Sequence, residues 1–332
     1  MKFTYSISNF ILLQFIFSWI VFFIENKKLK RNLVILFLMI FTIYLGMRDS
    51  FIGTDTKNYI NAYLKGDGGY FSEKGFKYLG FFIYKMSMSE KIYIFTISVI
   101  NTLLYYIGFS FYFENKDDFY ITLWIFLFNV TSLFGYVNIL RQSLAGGFLL
   151  ISLGLFIRKK MKLSLVIFII GFLFHKSILF FILLYFKKTY ILCSKISYFY
   201  KKILILLLIL FSNIVPLFLL WHYKFLSYAG LTTNKSFYFK FILLLIFYFY
   251  IKIKDKNLNC IIFYGICLIA ILIKFELVTS RLIYYINIFI PIVITYYLKI
   301  NGKNKKRLTL FIIGGYHVLI LFYPSVKVMF NF

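Results

Sequence analysis

Apolar residues along this chain come in runs of about 15 to 20 positions, each the length of a bilayer-crossing helix. They fall at about 8–24, 32–46, 91–113, 119–137, 140–157, 163–186, 203–220, 238–251, 258–273, 281–298 and 308–323. The runs are continuous and lack the two-residue alternation of barrel strands. This pattern predicts an all-α, polytopic membrane protein of about 11–12 membrane helices. It is organised as a single integral membrane domain over residues 1–332, with one long loop at 47–90. The first run, "ISNFILLQFIFSWIVFFI", leads into "ENKKLKR" without a small-x-small cleavage site, so it reads as a retained helix rather than a removed leader.

Composition strengthens that picture. The chain is 62% hydrophobic and 23% aromatic, above the soluble norm. Its net charge is +27, from 38 Lys and Arg against 11 Asp and Glu. In a soluble protein that balance would suggest nucleic acid. Here the excess sits between apolar runs, where it sets orientation, and no nucleic-acid partner is expected. "ENKKLKR", "RKKMK", "KKTYILCSKISYFYKK", "IKIKDKN" and "KINGKNKKR" belong on the cytoplasmic side by the positive-inside rule. Two of these flank the run "LSLVIFIIGFLFHKSILFFILLYF" (163–186), which is interrupted by Gly171 and by His175-Lys176-Ser177. Both can be cytoplasmic if that run is a re-entrant or short helical hairpin with His175 at its tip. Each half, about 11 or 12 residues at ~1.5 Å per residue, is too short to cross ~30 Å of hydrocarbon. The loop 47–90, the turn 138–142, His175, the loop 221–237 and the connection 274–281 then share the external side, with both termini.

That side collects the unusual polar residues. The 47–90 loop carries Arg48, Thr54, Asp55, Tyr59 and Glu73 in "RDSFIGTDTKNY" and "GDGGYFSEKGFKYLGFFIYKM". Asp55, Thr56 and Glu73 can be explained as helix caps, and Gly53 as a tight turn. Arg48 has no such explanation, and carboxylates beside an arginine suit proton transfer and phosphate binding. In "NILRQSLAGG", Asn138, Arg141, Gln142 and Ala145 share one helical face. Arg141 there either snorkels to the interface or lines a polar cavity, as an Asn-Arg-Gln stripe would be costly against lipid. His175 is a core histidine or a catalytic one. Arg281, Tyr284 and Tyr285 share a face in "SRLIYY", where tyrosines also fit an aromatic belt. His222 and His317 have weaker contexts. Scattered Cys193, Cys260 and Cys267 suggest neither a disulfide framework nor a metal site. No HExxH, P-loop or external DxD occurs, so no metal and no cofactor is expected. A diphosphate here would be held by guanidinium forks.

Taken in order, "IGTDTKNY", Glu73 with Gly75, "LRQSLA", "FHKS" and "SRLIYY" resemble the EpsG family, the Wzy-like bacterial exopolysaccharide and O-antigen polymerases with a GT-C-like membrane fold. The loop 221–237 departs from that pattern, with Tyr228 its one counterpart. The resemblance implies a glycosyltransferase of the bacterial cytoplasmic membrane with its active site facing outside. It would join undecaprenyl-diphosphate-linked oligosaccharide repeat units, for capsule, secreted polymer or O-antigen, among membrane lipid and beside flippase and chain-length regulator proteins. On this reading Arg48, Arg141 and Arg281 hold the diphosphate or donor sugar, and Asn138 and Gln142 orient hydroxyls. Thr54, Tyr59 and Tyr284 add substrate contacts, and His175, Asp55 or Glu73 is the base. The competing classes are a flippase for lipid-linked glycans, which normally needs ionisable groups near mid-membrane, and a related external-face ligase or transferase.

Overall fold

The structure is a computed structural model that describes residues 14, 16–17, 20–21, 23–49, 52–53, 55–66, 73–212, 235–251 and 253–321. Thr54, His222, Tyr228 and the first apolar run, apart from a few residues, lie outside these. The described residues form helices: α1 (Lys27–Gly46), α2 (Thr56–Leu64), α3 (Lys74–Lys85), α4 (Glu90–Ser110), α5 (Lys116–Leu127), α6 (Val130–Val137), α7 (Leu140–Ile157) and α8 (Met161–Phe174). A 3-10 helix, Lys176–Tyr185, precedes α9 (Lys187–Lys195), α10 (Tyr198–Phe211), α11 (Lys235–Ile251), α12 (Lys256–Leu272) and α13 (Glu276–Leu321). The protein is an all-α, multi-pass membrane protein. Four helices among the described residues are long and apolar enough to cross a bilayer: α1, α4, α7 and Leu277–Lys299 within α13.

Several apolar runs take a form their periodicity did not announce. The run 119–137 is split into α5 and α6 at Phe128-Asn129, where the Ser132 hydroxyl donates to the Phe126 and Asn129 carbonyls. The run 163–186 does break at His175, which is extended between α8 and the 3-10 helix. The last two runs are not separated by an irregular connection: α13 continues through "KINGKNKKR" and carries Pro291 inside it.

The chain divides into two compact units, one of residues 1–176 with 294–332, the other of residues 177–293. In the first, α7 is the central helix, packed against α4, α6 and α8, while α1 packs on α4, α5 and α6. Lipid offers no hydrophobic drive between helices, so small polar groups hold them together. Thr102 shares its hydroxyl with Thr42 at 2.7 Å and Tyr136 at 2.8 Å, joining α4 to α1 and α6. Asn101 donates to Ser143 Oγ at 2.7 Å, and Ser152 and Ser164 each donate to the other's carbonyl at 2.6 Å across α7 and α8.

One end of this unit is basic. Arg31 donates to Asp117 through Nε and Nη2 at 3.1 and 2.6 Å, Lys27 joins Asp117 at 3.0 Å, and Lys299 reaches Asp118 at 3.0 Å. The hydrogen bonds from Arg31 and Lys27 hold the Asp117 carboxyl below the usual carboxylate range. Arg158, after α7, donates to the carbonyls of Phe111 and Ser110 at the end of α4, satisfying acceptors that a helix C-terminus leaves open.

In the second unit, α12 packs against α9 and α10. Asn259 is its polar hub, accepting from Lys201 Nζ at 3.1 Å and the Tyr248 hydroxyl at 2.8 Å while donating to the Ile253 carbonyl. Ser177 and Tyr285 share a hydrogen bond of 2.9 Å, and Phe181 packs edge-on against Tyr264 and Tyr285.

Candidate active site

The other end of the first unit is built by the 47–90 loop. α1 stops at Gly46, and Arg48 turns inward, becoming almost wholly buried. Its Nη1 donates to the Leu45 carbonyl at 2.6 Å, Nε and Nη2 donate to Thr56 Oγ1 at 3.4 and 3.2 Å, and Nη2 also donates to the Val137 carbonyl at 3.3 Å. Thr56 Oγ1 donates to the same Val137 carbonyl at 3.0 Å. A cation and a hydroxyl thus close the C-terminus of α6, where a helix presents unsatisfied carbonyls and partial negative charge. Burial pushes the Arg48 pKa down to about 9, which leaves it charged at neutral pH.

Gly53 makes this closure possible. Its φ is +90°, and a Cβ there would lie 2.7 Å from the Val137 carbonyl oxygen and 2.8 Å from Asn138 Oδ1, so only glycine fits. Asn138 is buried in the turn between α6 and α7, not on a helix. The single helical stripe read from Asn138 to Ala145 is therefore corrected: α7 begins at Leu140, and Arg141 with Ala145 keeps the helical spacing. At this break the Val137 carbonyl accepts from Arg48 and Thr56.

Arg141, in the first turn of α7, is the centre of the constellation. It forms an ion pair with Glu73 through Nη1, hydrogen-bonds Tyr59 and lies in the electrostatic reach of Asp55. Asp55 and Glu73 occupy the N-cap positions of α2 and α3, yet neither side chain makes a capping hydrogen bond. The Glu73 carboxylate is paired with Arg141 instead, and the Asp55 carboxylate lies within the field of the same guanidinium. Burial raises the Asp55 carboxyl above its ordinary range and Arg141 pulls it back, while burial raises the Tyr59 phenol so that it keeps its proton. Tyr59 stacks obliquely on Phe76 with ring centroids 5.5 Å apart, tying α2 to α3.

Gly75, in the first turn of α3, seats that helix on the end of α8: a Cβ would stand 2.9 Å from the Leu173 carbonyl oxygen. This brings the Glu73 end of α3 to the helix terminus that carries His175, itself buried. Gln142 is buried in the first turn of α7. Arg281, exposed, and Tyr284, buried, belong to the second unit at the start of α13. Sequence reading assigned Thr56 to a cap and missed its bond to the Val137 carbonyl, 81 positions away; no local pattern carries that signal. Among the described residues no cluster of three His, Cys, Asp or Glu is placed to hold a metal ion.

The fold and this end of the bundle define a class: a helical membrane protein that keeps a part-buried arginine–carboxylate pair, a second carboxylate and a phenol at the mouth of its central helix. The chain matches the EpsG family over residues 31–331 and belongs to it. No curated protein and no solved structure matches it.

Proposed function

We propose that this chain is an exopolysaccharide polymerase, a glycosyltransferase that joins undecaprenyl-diphosphate-linked oligosaccharide repeat units at the outer face of the bacterial cytoplasmic membrane. One observation carries the reading: Arg141 stands among Asp55, Tyr59 and Glu73 on elements that meet at a single end of the helix bundle. Family membership supports the polysaccharide context.

In the reaction an acceptor sugar hydroxyl attacks the anomeric carbon of the donor glycan. The bond from that carbon to the diphosphate oxygen breaks, and its electron pair leaves with the diphosphate. Arg141 meets the charge that develops on the leaving oxygen, where a fixed donor in a water-poor site is most effective. Glu73 holds the guanidinium in place. Asp55 receives the hydroxyl proton, a role suited to a carboxylate whose basicity burial has raised. His175 is the alternative base, at the neighbouring helix end. Tyr59 and Asn138 direct hydroxyls. Arg48, whose guanidinium is bonded to Leu45, Thr56 and Val137, is a positioning residue in this scheme.

The test is purified protein in liposomes supplied with lipid-linked repeat unit. Ladders of longer glycans are expected, and Arg141→Ala should remove them without lowering the amount of folded protein. Movement of the lipid-linked unit across the bilayer without elongation would replace the proposal with a flippase. Unchanged ladders from Arg141→Ala would remove this site from it.

A further inference from the structure

The remaining surface of α3 has no role in that scheme, and its chemistry is specific. The helix is 12 residues long, or ~18 Å at ~1.5 Å per residue, well short of a ~30 Å hydrocarbon core. Phe76, Gly80 and Ile83 form its buried stripe, facing Tyr59 and Tyr93. The outward side carries Tyr78, Phe81, Phe82 and Tyr84, which are 66%, 44%, 64% and 43% exposed. Lys74, Lys77 and Lys85 are exposed with them, Lys85 Nζ lying 5.3 Å from the centre of the Phe81 ring. No acid occurs from Lys74 to Lys85.

Tyr84 already packs edge-on against Tyr63, but the solvent-facing rings of Tyr78, Phe81 and Phe82 need a partner, and the position of α3 says which. It sits on Leu173 at the end of α8 and beside Tyr93 near the start of α4. The short apolar helix α8 turns Ile169 and Leu173 outward, and the spanning helix α4 turns Ile92, Leu103 and Ile107 outward, apolar surface suited to acyl chains. The aromatic face of α3 thus continues a lipid-facing band at the place where the helices end. Amphipathic rings among lysines, without acids, suit the boundary between acyl chains and anionic headgroups.

We infer that α3 is an interfacial helix docked on the lipid bilayer, with Tyr78, Phe81, Phe82 and Tyr84 at headgroup depth and its lysines on lipid phosphates. Because Glu73 and Gly75 stand at its N-terminal end, the same helix holds the Arg141 ion pair at the level where a lipid-borne headgroup travels. This docking does not depend on the polymerase reading, and its test contains no glycan.

Single cysteines at Tyr78, Phe82 and Glu114, in a background with Cys193, Cys260 and Cys267 replaced by Ser, are spin-labelled in phosphatidylglycerol–phosphatidylethanolamine vesicles. Power saturation compares access of oxygen with that of a water-soluble nickel chelate. Tyr78→Cys and Phe82→Cys labels are expected to show an oxygen-to-nickel ratio at least about threefold that of the aqueous Glu114→Cys label. Replacing Lys74, Lys77 and Lys85 with Gln should lower that ratio. Nickel access equal to that at Glu114→Cys, or shielding from both reagents because protein covers the face, overturns the inference. Should the cysteine-free background misfold, quenching of Phe82→Trp fluorescence by brominated lipid, in a protein with Trp19, Trp124 and Trp221 replaced by Phe, decides the same point: strong quenching supports docking, and none refutes it.

Discussion

Asp55 heads a helix without capping it, and that restraint has consequences of opposite sign for activity and stability. Burial raises its pKa above the ordinary carboxylate value, so the folded state binds its proton more readily than the unfolded chain. The protein therefore gains stability as pH falls through the raised pKa, while a reaction that needs the carboxylate loses rate over that same interval. Asp55→Asn should reduce polymer formation by about 100-fold or more, with a thermal midpoint at neutral pH equal to or above that of the parent. A variant that kept its rate, or lost rate and stability together, would show Asp55 to be structural. Thr56 carries the complementary prediction. Its hydroxyl accepts from Arg48 and donates to Val137, and Thr56→Val leaves buried donors of a charged group short of an acceptor. That should cost about 1–3 kcal/mol, read as a lowered unfolding temperature in detergent, and Thr56→Ser should restore it.

At the scale of elements, the site depends on short helices whose ends are fitted to longer ones. α2 hangs from the end of α6 through Gly53 and Thr56, and α3 rests on the end of α8 through Gly75. Gly53→Ala meets both a left-handed backbone, unfavourable by about 1–2 kcal/mol for an L-residue, and the Val137 carbonyl. Gly75→Val drives a branched side chain into the Leu173 carbonyl and should move Glu73 away from Arg141. Both variants are expected to reach the membrane with their long helices formed and to lose most polymerising activity, checked by circular dichroism beside the liposome assay. Much of this was legible in the sequence. Uninterrupted apolar runs gave α7 to the residue and located α1 and α4 to within about five residues at their ends, and the break at His175 followed from polar residues inside an apolar run. The division of 119–137 into α5 and α6, and the departure of Asn138 from the helical stripe, were not legible. Both depend on backbone carbonyls satisfied by side chains, in the second case Arg48 from 89 positions away, and periodicity records only the neighbours along one helix. Asp55 and Glu73 were recognised as cap positions, but only the fold shows that Glu73 pairs with Arg141 and that Asp55 lies within its field.

Over the whole first unit, the charged side chains named above sort to two ends separated by the length of a spanning helix. α1 runs 20 residues from Lys27 to Gly46, ~30 Å at ~1.5 Å per residue. At its start Lys27 and Arg31 bind Asp117, and just past its end Arg48 binds Thr56. α7 repeats the arrangement, with Arg141 in its first turn and Arg158 immediately after its last. By the positive-inside rule the end holding Lys27, Arg31, Arg158 and Lys299 is expected in the cytoplasm, and the proposed polymerase then requires the carboxylate–arginine site to face out. An outward site needs no nucleotide and meets its substrate already carried across the membrane, which is why sidedness bears directly on mechanism. Lys57→Cys and Lys116→Cys place thiols at exposed positions of opposite ends. In sealed right-side-out vesicles, a membrane-impermeant maleimide should modify Lys57→Cys at once and Lys116→Cys only after permeabilisation. The reverse order would turn the site toward the cytoplasm, where an acceptor glycan on the outer leaflet cannot reach Asp55, and the polymerisation chemistry would fall with it.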